Sequence, residues 1–368
     1  MKITFVLNNY PWKPIGGVRV IYEYANHLAA RGHEVSVVHP RFMRNWTAPE
    51  NRVGRVRRQI GFLRNLLFRP RFEWQPIDPR VRLFFVSEPT APHIPDGDFV
   101  FATAWETAEY VIDFPASKGE KFYIIQAYEV WDGRASRVDA TWRMPLKKVV
   151  IAKWLFEKGL ELGASPSDMA LIYNGINFDR FRIIRNIEQR PKRVAMIYHT
   201  LDCKGSPEGI EALEMARSKH SDLQAVLFGV FKRPRFLPSW IEYCYNPRQE
   251  DLVETIYNGS RIYLCSSWVE GWALPPAEAM ACGCAVVTTE CRGVNEFLKQ
   301  GETGLLSPIR DPHGMAENLI RLLEDDGLRV HLARSGHEDI RKFTWEKSTD
   351  LLEALLMGSG KIELSGSR

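Results

Sequence analysis

Short apolar runs alternate along this chain with longer segments in which apolar residues recur every three or four positions. The opening shows both patterns, because Ile3 to Leu7 is a continuous apolar run and Val18, Ile21, Ala25 and Leu28 follow at helical spacing. A run of this kind is typical of a strand buried on both faces, and the spacing after it indicates a helix packed on one face. The opening therefore predicts a strand, a loop and a helix.

The same alternation continues through both halves of the chain. It predicts further strands at Val35–Val38, Val81–Val86, Asp98–Thr103, Lys121–Gln126, Val149–Ala152, Ala170–Tyr173, Arg193–His199, Ala225–Gly229, Arg261–Cys265 and Ala285–Thr289. Helical patterns between these runs favour parallel sheets with helices on both faces. We therefore expect an α/β protein with two doubly wound, Rossmann-like domains that face each other across a cleft.

The length of 368 residues exceeds what one hydrophobic core usually holds, so two domains are expected. We assign residues 1–180 to a first domain and 193–344 to a second. A stretch rich in Arg, Asn and Gln, 181–192, is interpreted as the linker. A closing helix at 345–357 is expected to pack back on the first domain, and 358–368 is expected to be a loose tail.

Charge is unevenly distributed along the chain. Residues 1–190 hold 28 Lys and Arg against 20 Asp and Glu, whereas the remainder holds 21 against 25. The basic first half favours an anionic partner. Residues 52–71 contain seven arginines and no acid, interleaved with six large apolar residues: Ile60, Phe62, Leu63, Leu66, Leu67 and Phe68.

The arginine-rich segment has three interpretations. A basic amphipathic helix that lies on an anionic membrane surface fits the composition best. A nucleic-acid surface is disfavoured because no recognition motif accompanies the arginines. The third possibility is an excursion whose apolar residues pack on the domain.

The six cysteines and the lack of long apolar runs bear on location. No pair of cysteines has C-x2-C spacing, so neither a zinc site nor any other metal site is expected, and free thiols favour a reducing cytosol. The first apolar run is too short for a signal peptide, and no run of about 18 apolar residues suggests a membrane span. We expect a cytoplasmic protein, peripheral on the inner face of the membrane.

Two regions carry candidate chemistry. Gly16 and Gly17 precede the first helix, where free N–H groups and the helix dipole favour a phosphate, although a plain strand-to-helix turn has the same sequence. The stretch 270–289 predicts a loop, a short helix and a buried strand. It places Glu270 and Glu278 after the carboxyl end of a parallel strand, where open α/β sheets bind ligands.

These pieces together resemble the retaining glycosyltransferases of the GT-B fold, in the glycogen-synthase-like clan (family 4 glycosyltransferases). The matching pieces are Gly16-Gly17, Asn174-Gly175-Ile176-Asn177, Lys204-Gly205, the two glutamates with seven residues between them, Gly283, Gly301-x-x-Gly304-Leu305 and the Trp345 helix. The resemblance covers nearly the whole chain and is most specific from Leu264 to Leu306.

The resemblance implies that residues 1–180 form the acceptor-side domain and 193–344 the nucleotide-sugar-binding domain, and it implies roles for individual residues. It makes Lys204 and Glu270 catalytic, with the lysine on the donor diphosphate and Glu270 on the hydroxyls of the donor sugar. Glu278 would bind the ribose hydroxyls, and the backbone of Gly17 would meet the diphosphate. The complete implied donor-binding set is Gly16, Gly17, His199, Lys204, Glu270, Gly271, Leu274, Pro275 and Glu278.

The sequence departs from the family pattern at two places. His199 stands where the family usually has an arginine, so a second cation at the diphosphate would have to come from His199 or Arg193. Gln126 stands where many members have a histidine, and Glu129 after it is a candidate on the acceptor side. A similar arrangement occurs in a subset of the family that includes some rhamnosyltransferases, which suggests a deoxysugar donor.

The predicted function is a retaining glycosyltransferase that uses a nucleotide diphosphate sugar, without metal or other cofactor. Its acceptor would be a glycan or a lipid-linked glycan, in cell-surface polysaccharide synthesis, and no nucleic acid partner is expected. Two alternatives remain open at this point: a catalytically silent GT-B scaffold that binds a nucleotide or glycan, and a nucleotide-sugar epimerase. The nucleotide base, the sugar, the acceptor and the linkage are not specified by these residues.

Overall fold

The chain folds into two units, and each is built around its own parallel β-sheet. The computed structural model describes residues 1–43, 52–70, 73–130 and 134–358. These form two units, one containing Met1–Tyr173 with the segment that begins at Trp345, the other Asn174–Thr344. The predicted tail lies, from residue 359 onward, outside the described residues.

Within the described residues, the first unit has seven parallel strands. They are β1 (Lys2–Val6), β2 (Glu34–Pro40), β3 (Arg82–Val86), β4 (Phe99–Ala102), β5 (Glu120–Ile125), β6 (Lys147–Val150) and β7 (Met169–Leu171). Their order across the sheet is β3-β2-β1-β4-β5-β6-β7. The chain thus starts in the middle and reverses its direction of travel between β1 and β4, which creates a switch point at the carboxyl ends of those strands.

The helices of the first unit include α1, which fulfils the opening pattern. They are α1 (Gly16–Ala30), α2 (Arg52–Leu67), α3 (Trp105–Val111), α4 (Ala135–Trp142) and α5 (Lys153–Glu161). In α1 the predicted apolar stripe of Val18, Ile21, Ala25 and Leu28 is buried. The helix begins at Gly16, directly after the loop that follows β1.

The second unit repeats this architecture with six parallel strands among the residues described. They are β8 (Arg193–Ile197), β9 (Gln224–Gly229), β10 (Ile241–Tyr245), β11 (Ile262–Cys265), β12 (Ala285–Thr289) and β13 (Leu305–Ser307). The order is β10-β9-β8-β11-β12-β13, so the switch point lies between β8 and β11. The loop that leaves β8 carries Lys204, and the loop that leaves β11 lies in the region in which the family resemblance is most specific.

The helices of the second unit cover both faces of its sheet. They are α6 (Ser206–Lys219), α7 (Gln249–Asp251) with a π-helical continuation at Leu252–Tyr257, α8 (Leu274–Ala281), α9 (Pro312–Glu324) and α10 (Asp326–Ile340). Pro275 and Pro276 open α8, and Gly283 follows it with a left-handed backbone (φ 79°). The predicted strand, loop, short helix and strand therefore form as the turn chemistry indicates.

The stretch interpreted as a linker, 181–192, is instead packed into the second unit. Phe181, Ile187 and Arg190 are 3%, 6% and 2% exposed. The polar composition suggested an exposed connection, but its polar groups find partners inside the unit. The first unit correspondingly ends at Tyr173, seven residues before the predicted boundary.

A final helix, α11 (Trp345–Leu356), returns to the first unit and packs against α1. The ring of Trp345 meets that of Tyr24 edge-on, with centroids 5.2 Å apart. Arg31, just after α1, pairs with Asp350 at 2.7 Å and with Glu353. The first unit is therefore completed by the far end of the chain.

The arginine-rich helix α2 presents its polar side to the first unit. Nε1 of Trp12 donates to Oδ1 of Asn65 at 2.6 Å, and Arg64 stacks over the ring of Trp12 at 4.4 Å. Apolar side chains on the same helix remain exposed, among them Leu63 at 54% and Leu67 at 71%. This arrangement contradicts the interpretation in which the apolar residues pack on the domain. Residues 71 and 72, at the end of the predicted segment, lie outside the described residues.

Among the helices in the described ranges, none combines the length and apolar character required to cross a bilayer.

Candidate active site

The loop after β8 carries two predicted donor-binding residues, His199 and Lys204. A short 3-10 turn that ends at Lys204 leads to Gly205, whose backbone is left-handed (φ 57°). A Cβ on Gly205 would lie 1.9 Å from the carbonyl oxygen of Ser266. Only glycine therefore allows the loop after β8 to approach the loop after β11 this closely.

Lys204 and Glu270 form an ion pair across these two loops. Nζ of Lys204 lies 2.7 Å from Oε1 of Glu270, and the hydroxyl of Ser267 donates to the same oxygen, also at 2.7 Å. Burial alone would lower the pKa of Lys204, but the Glu270 carboxylate outweighs it and the pKa is raised. The lysine is therefore positively charged at neutral pH. The two residues implied as catalytic are thus brought together.

His199 lies in the same loop but is uncharged at neutral pH. Burial, assisted by the positive charge of Lys204, lowers the pKa of His199 to about 4. Its Nδ1 accepts the backbone N–H of Leu201 at 3.0 Å, which leaves the proton on Nε2. His199 therefore supplies an N–H donor rather than a second positive charge.

Arg193, the other candidate for a second cation, lies at the wrong end of the sheet. It begins β8, whereas the loop that carries Lys204 follows the end of that strand. Five strand residues span roughly 16 Å. The Arg193 guanidinium also pairs with Glu242 at 2.5 Å and donates to the carbonyl of Thr255 at 3.2 Å. The suggestion that Arg193 contributes to a diphosphate site is wrong.

The backbone of Glu270 is fixed by the loop after β12. Its N–H donates to the carbonyl of Cys291 at 2.8 Å, and it forms a β-bridge with Arg292. Gly271 packs against Gly293, because a Cβ on Gly293 would lie 2.7 Å from the carbonyl oxygen of Gly271. The loops after three neighbouring strands thus hold Glu270 and Gly271 in place.

The start of α8 offers backbone amides, but fewer than the sequence suggested. Ala273, before the helix, has a left-handed backbone (φ 63°, ψ 66°) although it is not a glycine, and it is buried. Such a conformation costs about 1 kcal/mol or more and persists only where the surroundings impose it. Pro275 and Pro276 have no N–H, so the amides available to an anion are those of Ala273 and Leu274. Pro275 can contribute only its ring and carbonyl.

Glu278 lies in the interior of α8 instead of at its first turn. It is the fifth residue of the helix and is 2% exposed. The hydroxyl of Tyr257 donates to its Oε2 at 3.2 Å. The carboxylate is therefore held within the unit and is not a surface acid.

In the first unit, the structure brings together Gly17 and Gln126. Nε2 of Gln126 donates to the carbonyl of Gly17 at 3.1 Å, and a Cβ on Gly17 would lie 3.3 Å from the Gln126 side chain. Gly16 and Gly17 open α1, at the carboxyl end of β1. The loops after β1 and β5 thus meet near the switch point of this sheet, and their participation in a ligand site stays a prediction.

Glu129, the candidate on the acceptor side, has a structural contact that the sequence did not reveal. Its Oε2 accepts the backbone N–H of Trp105 at 3.0 Å, at the first residue of α3. A carboxylate at a helix N-terminus stabilises the unpaired amides there. Arg137 stacks over the ring of Trp105 at 4.7 Å and pairs with Glu109 at 2.5 Å.

Two residues at the candidate site were not singled out from the sequence, Ser267 and Tyr257. Ser267 contacts Glu270 from three positions earlier, a spacing without a recognisable signal. Tyr257 ends the π-helical segment, and π-helical turns are frequent at functional sites. No metal-ligand group of three or more His, Cys, Asp or Glu occurs among the residues that the structure describes.

Comparison with known proteins identifies the second unit. Residues 177–339 match the family model described as glycosyl transferases group 1. This region is a group 1 glycosyltransferase domain. The group 1 domain contains His199, Lys204, Glu270 and Glu278. The predicted family is confirmed, whereas the rhamnosyltransferase subset stays a prediction.

The curated relatives match this chain over only part of their own length. A D-inositol 3-phosphate glycosyltransferase of Salinispora tropica is 33% identical over 150 residues, which are 40% of this chain and 29% of that protein. An N,N'-diacetylbacillosaminyl-diphospho-undecaprenol alpha-1,3-N-acetylgalactosaminyltransferase of Campylobacter jejuni is 30% identical over 163 residues, 43% of this chain and 42% of that protein. The chain thus spans less than half of the length of these relatives.

Solved structures share the fold of the whole chain. HepE of Anabaena in complex with UDP-glucose has a TM-score of 0.71 at 13% identity, over 97% of this chain and 100% of that one. Sucrose-phosphate synthase of Thermosynechococcus elongatus has a TM-score of 0.73 at 16% identity, over 97% and 98%. The chain has the GT-B fold, as predicted.

Proposed function

We propose that the protein is a retaining, metal-independent glycosyltransferase. It would move a hexosyl or deoxyhexosyl group from a nucleotide diphosphate sugar to a glycan or lipid-linked acceptor, in cell-surface polysaccharide synthesis. The observation that carries this proposal is the 2.7 Å contact between Lys204 and Glu270 at the switch point of the group 1 domain. It joins a cation suited to a diphosphate and a carboxylate suited to sugar hydroxyls.

The proposed chemistry uses these residues as follows. When the bond between the anomeric carbon and the diphosphate oxygen breaks, negative charge accumulates on the leaving diphosphate. The charged Lys204, together with the amides at the start of α8, stabilises that charge. Glu270 accepts hydrogen bonds from the donor sugar, and Glu278 accepts them from the ribose. Ionised carboxylates form stronger bonds to hydroxyls than neutral acceptors do.

Different arguments support retention of the anomeric configuration and independence of metal ions. Retention requires attack from the face that the diphosphate leaves, and the family resemblance supports it. The positive charge of Lys204, whose pKa is raised by Glu270 against the effect of burial, supports metal independence, because it supplies stabilisation that a divalent cation supplies elsewhere. Turnover that persists in excess EDTA, with a product that keeps the anomeric configuration of the donor by NMR, is the expected result. An inverted product or loss of turnover with EDTA would contradict these assignments.

An anionic, membrane-bound acceptor is supported by charge and by the relatives. The names of the two curated relatives refer to D-inositol 3-phosphate and to a diphospho-undecaprenol sugar, both phosphorylated. Residues 1–190 of this chain hold eight more basic than acidic residues. A lipid-linked phosphate would be attracted to such a surface.

Helix α2 supports contact with an anionic bilayer. Its exposed apolar side chains include Ile60, Leu63 and Leu67, at 60%, 54% and 71%, while Arg64 and Asn65 face the unit. Exposed apolar side chains are stabilised in the interfacial region of a membrane, and the arginine-rich composition of residues 52–71 favours anionic lipids.

Vesicle binding tests this surface directly. The wild-type protein should co-sediment with vesicles that contain phosphatidylglycerol and much less with phosphatidylcholine alone. Leu63→Ser with Leu67→Ser should reduce the binding, whereas Phe236→Ser, which removes an equally exposed apolar residue from the second unit, should not. Equal binding by all three proteins would contradict the assignment, and retention on double-stranded DNA instead would favour the nucleic-acid interpretation.

Nucleotide screening is the first experiment for the proposed activity. Thermal shifts with UDP, GDP, ADP and dTDP identify the base, because a ligand that binds the folded state raises the melting temperature. The corresponding nucleotide sugars are then incubated with the protein and lipid-linked acceptors. Transfer to an acceptor supports the proposal, whereas an altered sugar still attached to nucleotide would indicate an epimerase.

A silent scaffold remains the second candidate for one structural reason. His199 is neutral and Arg193 is at the opposite end of β8, so Lys204 is the one positively charged group that the predicted donor-binding set supplies. A scaffold would bind a nucleotide but neither transfer nor hydrolyse its sugar. Detectable release of sugar from any of the nucleotide sugars would exclude it.

A further inference from the structure

Arg190 is a cation in the interior of the second unit. Although it lies in the stretch predicted to be a linker, the residue is only 2% exposed. One terminal nitrogen donates to the carbonyl of Cys282 at 2.7 Å and to Oδ1 of Asn258 at 2.9 Å. The other lies 3.4 Å from the carbonyl of Tyr257 and 3.3 Å from that of Ser260. Within the described residues, no carboxylate pairs with it.

A buried guanidinium is costly unless negative charge or oriented dipoles surround it. Burial lowers the pKa of Arg190, but the ordinary pKa of arginine is so high that the group stays charged. Two of the acceptors around it are carbonyls at the ends of two helices. Cys282 follows the last residue of α8, and Tyr257 is the last residue of the π-helical segment.

Helix ends are suited to this role. The last carbonyls of a helix have no partner inside it and carry partial negative charge. Arg190 satisfies carbonyls from both helices with one planar group. It therefore fixes the end of α8 relative to the end of the π-helical segment.

Those two helices carry the residues that meet at the candidate donor site. The hydroxyl of Tyr257 donates to Glu278 at 3.2 Å. Glu278 lies one turn before Cys282, whose N–H donates to the Glu278 carbonyl at 3.0 Å. Arg190 is thus linked to Glu278 by two short routes, one through each helix.

We propose that Arg190 is a positioning residue, which acts through Cys282 and Tyr257 to hold Glu278 in place for the donor nucleotide. This inference rests on the proposed function, because it assumes that Glu278 binds the donor. Arg190 itself is enclosed by protein groups and does not touch the substrate.

The neighbouring thiols do not provide an alternative role for Arg190. Sγ of Cys284 lies 3.9 Å from its guanidinium, and the carbonyl of Cys282 is its shortest contact. A thiolate beside the arginine would form an ion pair, but burial raises the pKa of Cys284 to about 11 and that of Cys282 further. Both remain thiols, so the charge of Arg190 is balanced by carbonyls.

The test compares two buried arginines of the same unit. Arg190→Lys keeps the charge but loses the planar fork that spans both helix ends. Arg329→Lys is the matched control, because Arg329 is equally buried and instead contacts Asp326 and the carbonyl of Ile187. Both variants are compared with wild type well below their melting temperatures, with whichever of UDP, GDP, ADP and dTDP stabilises wild type most.

We expect Arg190→Lys to weaken binding of that nucleotide roughly tenfold, within the range of couplings measured between contacting residues. Arg329→Lys should lower the melting temperature without changing the dissociation constant. Tyr257→Phe should weaken binding less than Arg190→Lys, and the double variant should lose less than the two single effects combined. This non-additivity distinguishes positioning from general destabilisation.

Hydrogen exchange of the ligand-free protein gives a readout that does not depend on the donor. Amides of α8 and of Leu252–Tyr257 should exchange faster in Arg190→Lys, and those of the first unit should not. If wild type binds a nucleotide and Arg190→Lys binds it equally well, the inference is wrong while the proposed function stands. If wild type binds none of the four nucleotides, the proposed function fails and this inference with it.

Discussion

Lys204 and Glu270 neutralise each other at the switch point of the second sheet. Nζ and Oε1 are 2.7 Å apart, and the two side chains are 28% and 15% exposed. A donor that uses both groups would have to share or replace this contact. Substitutions in this ion pair therefore test directly whether the donor binds at the proposed site.

Replacing Glu270 by glutamine should create a site that lacks one negative charge. In this variant Lys204 remains largely buried but has no negatively charged partner. The free energy of unfolding should therefore fall by about 1–3 kcal/mol. A nucleoside diphosphate supplies the missing charge, so it should raise the melting temperature of Glu270→Gln more than that of wild type.

The control for this experiment removes both charges. Lys204→Met combined with Glu270→Gln has no uncompensated cation, so the additional stabilisation by nucleotide should disappear. Equal thermal shifts in wild type and Glu270→Gln would show that the diphosphate does not meet Lys204.

Gly205→Ala should disrupt the approach of the loops after β8 and β11. The new Cβ would lie 1.9 Å from the carbonyl of Ser266, and the backbone is left-handed. Gly301→Ala is the matched control, since Gly301 is also left-handed (φ 76°) but a Cβ there meets nothing within 4 Å. Both variants carry the strain of about 1 kcal/mol, and only Gly205→Ala carries the clash. Nucleotide affinity should fall in Gly205→Ala alone, and similar affinities in both variants would contradict this account.

Glu278→Gln should reduce transfer while the fold is retained. Glutamine has nearly the same shape and keeps an oxygen for the Tyr257 hydroxyl. It loses the ionised acceptor for ribose, which is worth about 1.5–3 kcal/mol per hydrogen bond, so kcat/KM should fall at least about tenfold. Circular dichroism and melting temperature serve as the control for folding. Near-normal turnover would remove Glu278 from the site.

His39 should make the protein less stable in mild acid. It is fully buried in β2, with its Nε2 2.7 Å from the Tyr22 hydroxyl, and burial lowers its pKa to about 4. The unfolded chain binds the proton near pH 6.5, so the free energy of unfolding falls as the pH drops from about 6.5 to 4. The slope per group is at most about 1.4 kcal/mol per pH unit.

His39→Gln should make this acid dependence shallower without abolishing it, because the depressed pKa of His199 acts in the same pH range. Unfolding by urea at pH 7, 6 and 5 measures the effect. A variant with the same pH dependence as wild type would show that His39 does not titrate as the structure indicates.

Trp345→Ala should loosen the return of α11 to the first unit. The side chain is 4% exposed and contacts Tyr24, and removal of a buried tryptophan typically costs about 3–5 kcal/mol. Leu351→Ala on the same helix is the control, since Leu351 is 46% exposed and its loss should change stability by less than about 0.5 kcal/mol. Faster hydrogen exchange in α1, without change in the second unit, is the expected signature.

Sequence patterns predict those helices and strands that depend on interactions between residues close in the chain. Runs of β-branched residues such as Ala285–Thr289 are buried on both faces and form central strands, and Pro275 and Gly283 bound α8 as turn chemistry dictates. Strand β10 was missed because it is an edge strand with one neighbour. Its partly exposed residues, among them Glu242, do not form an apolar run.

Other features depend on contacts between distant segments. The polar composition around Arg190 predicts an exposed linker. Its burial cannot be read from the sequence, because the carbonyls that bind the guanidinium come from the ends of two helices remote in sequence. The pattern of α2 identifies an apolar face but not its direction. That direction depends on Trp12, which binds Asn65 and stacks with Arg64, and so leaves Leu63 exposed.

The position of α11 has a consequence for synthesis on the ribosome. Arg31 and Glu353 are 322 positions apart, and both belong to the first unit. All of Asn174–Thr344 therefore leaves the ribosome before the first unit has its last helix, at a pace of about 5–20 residues per second. The part of the protein that is translated first therefore cannot complete its fold until α11 has been synthesised.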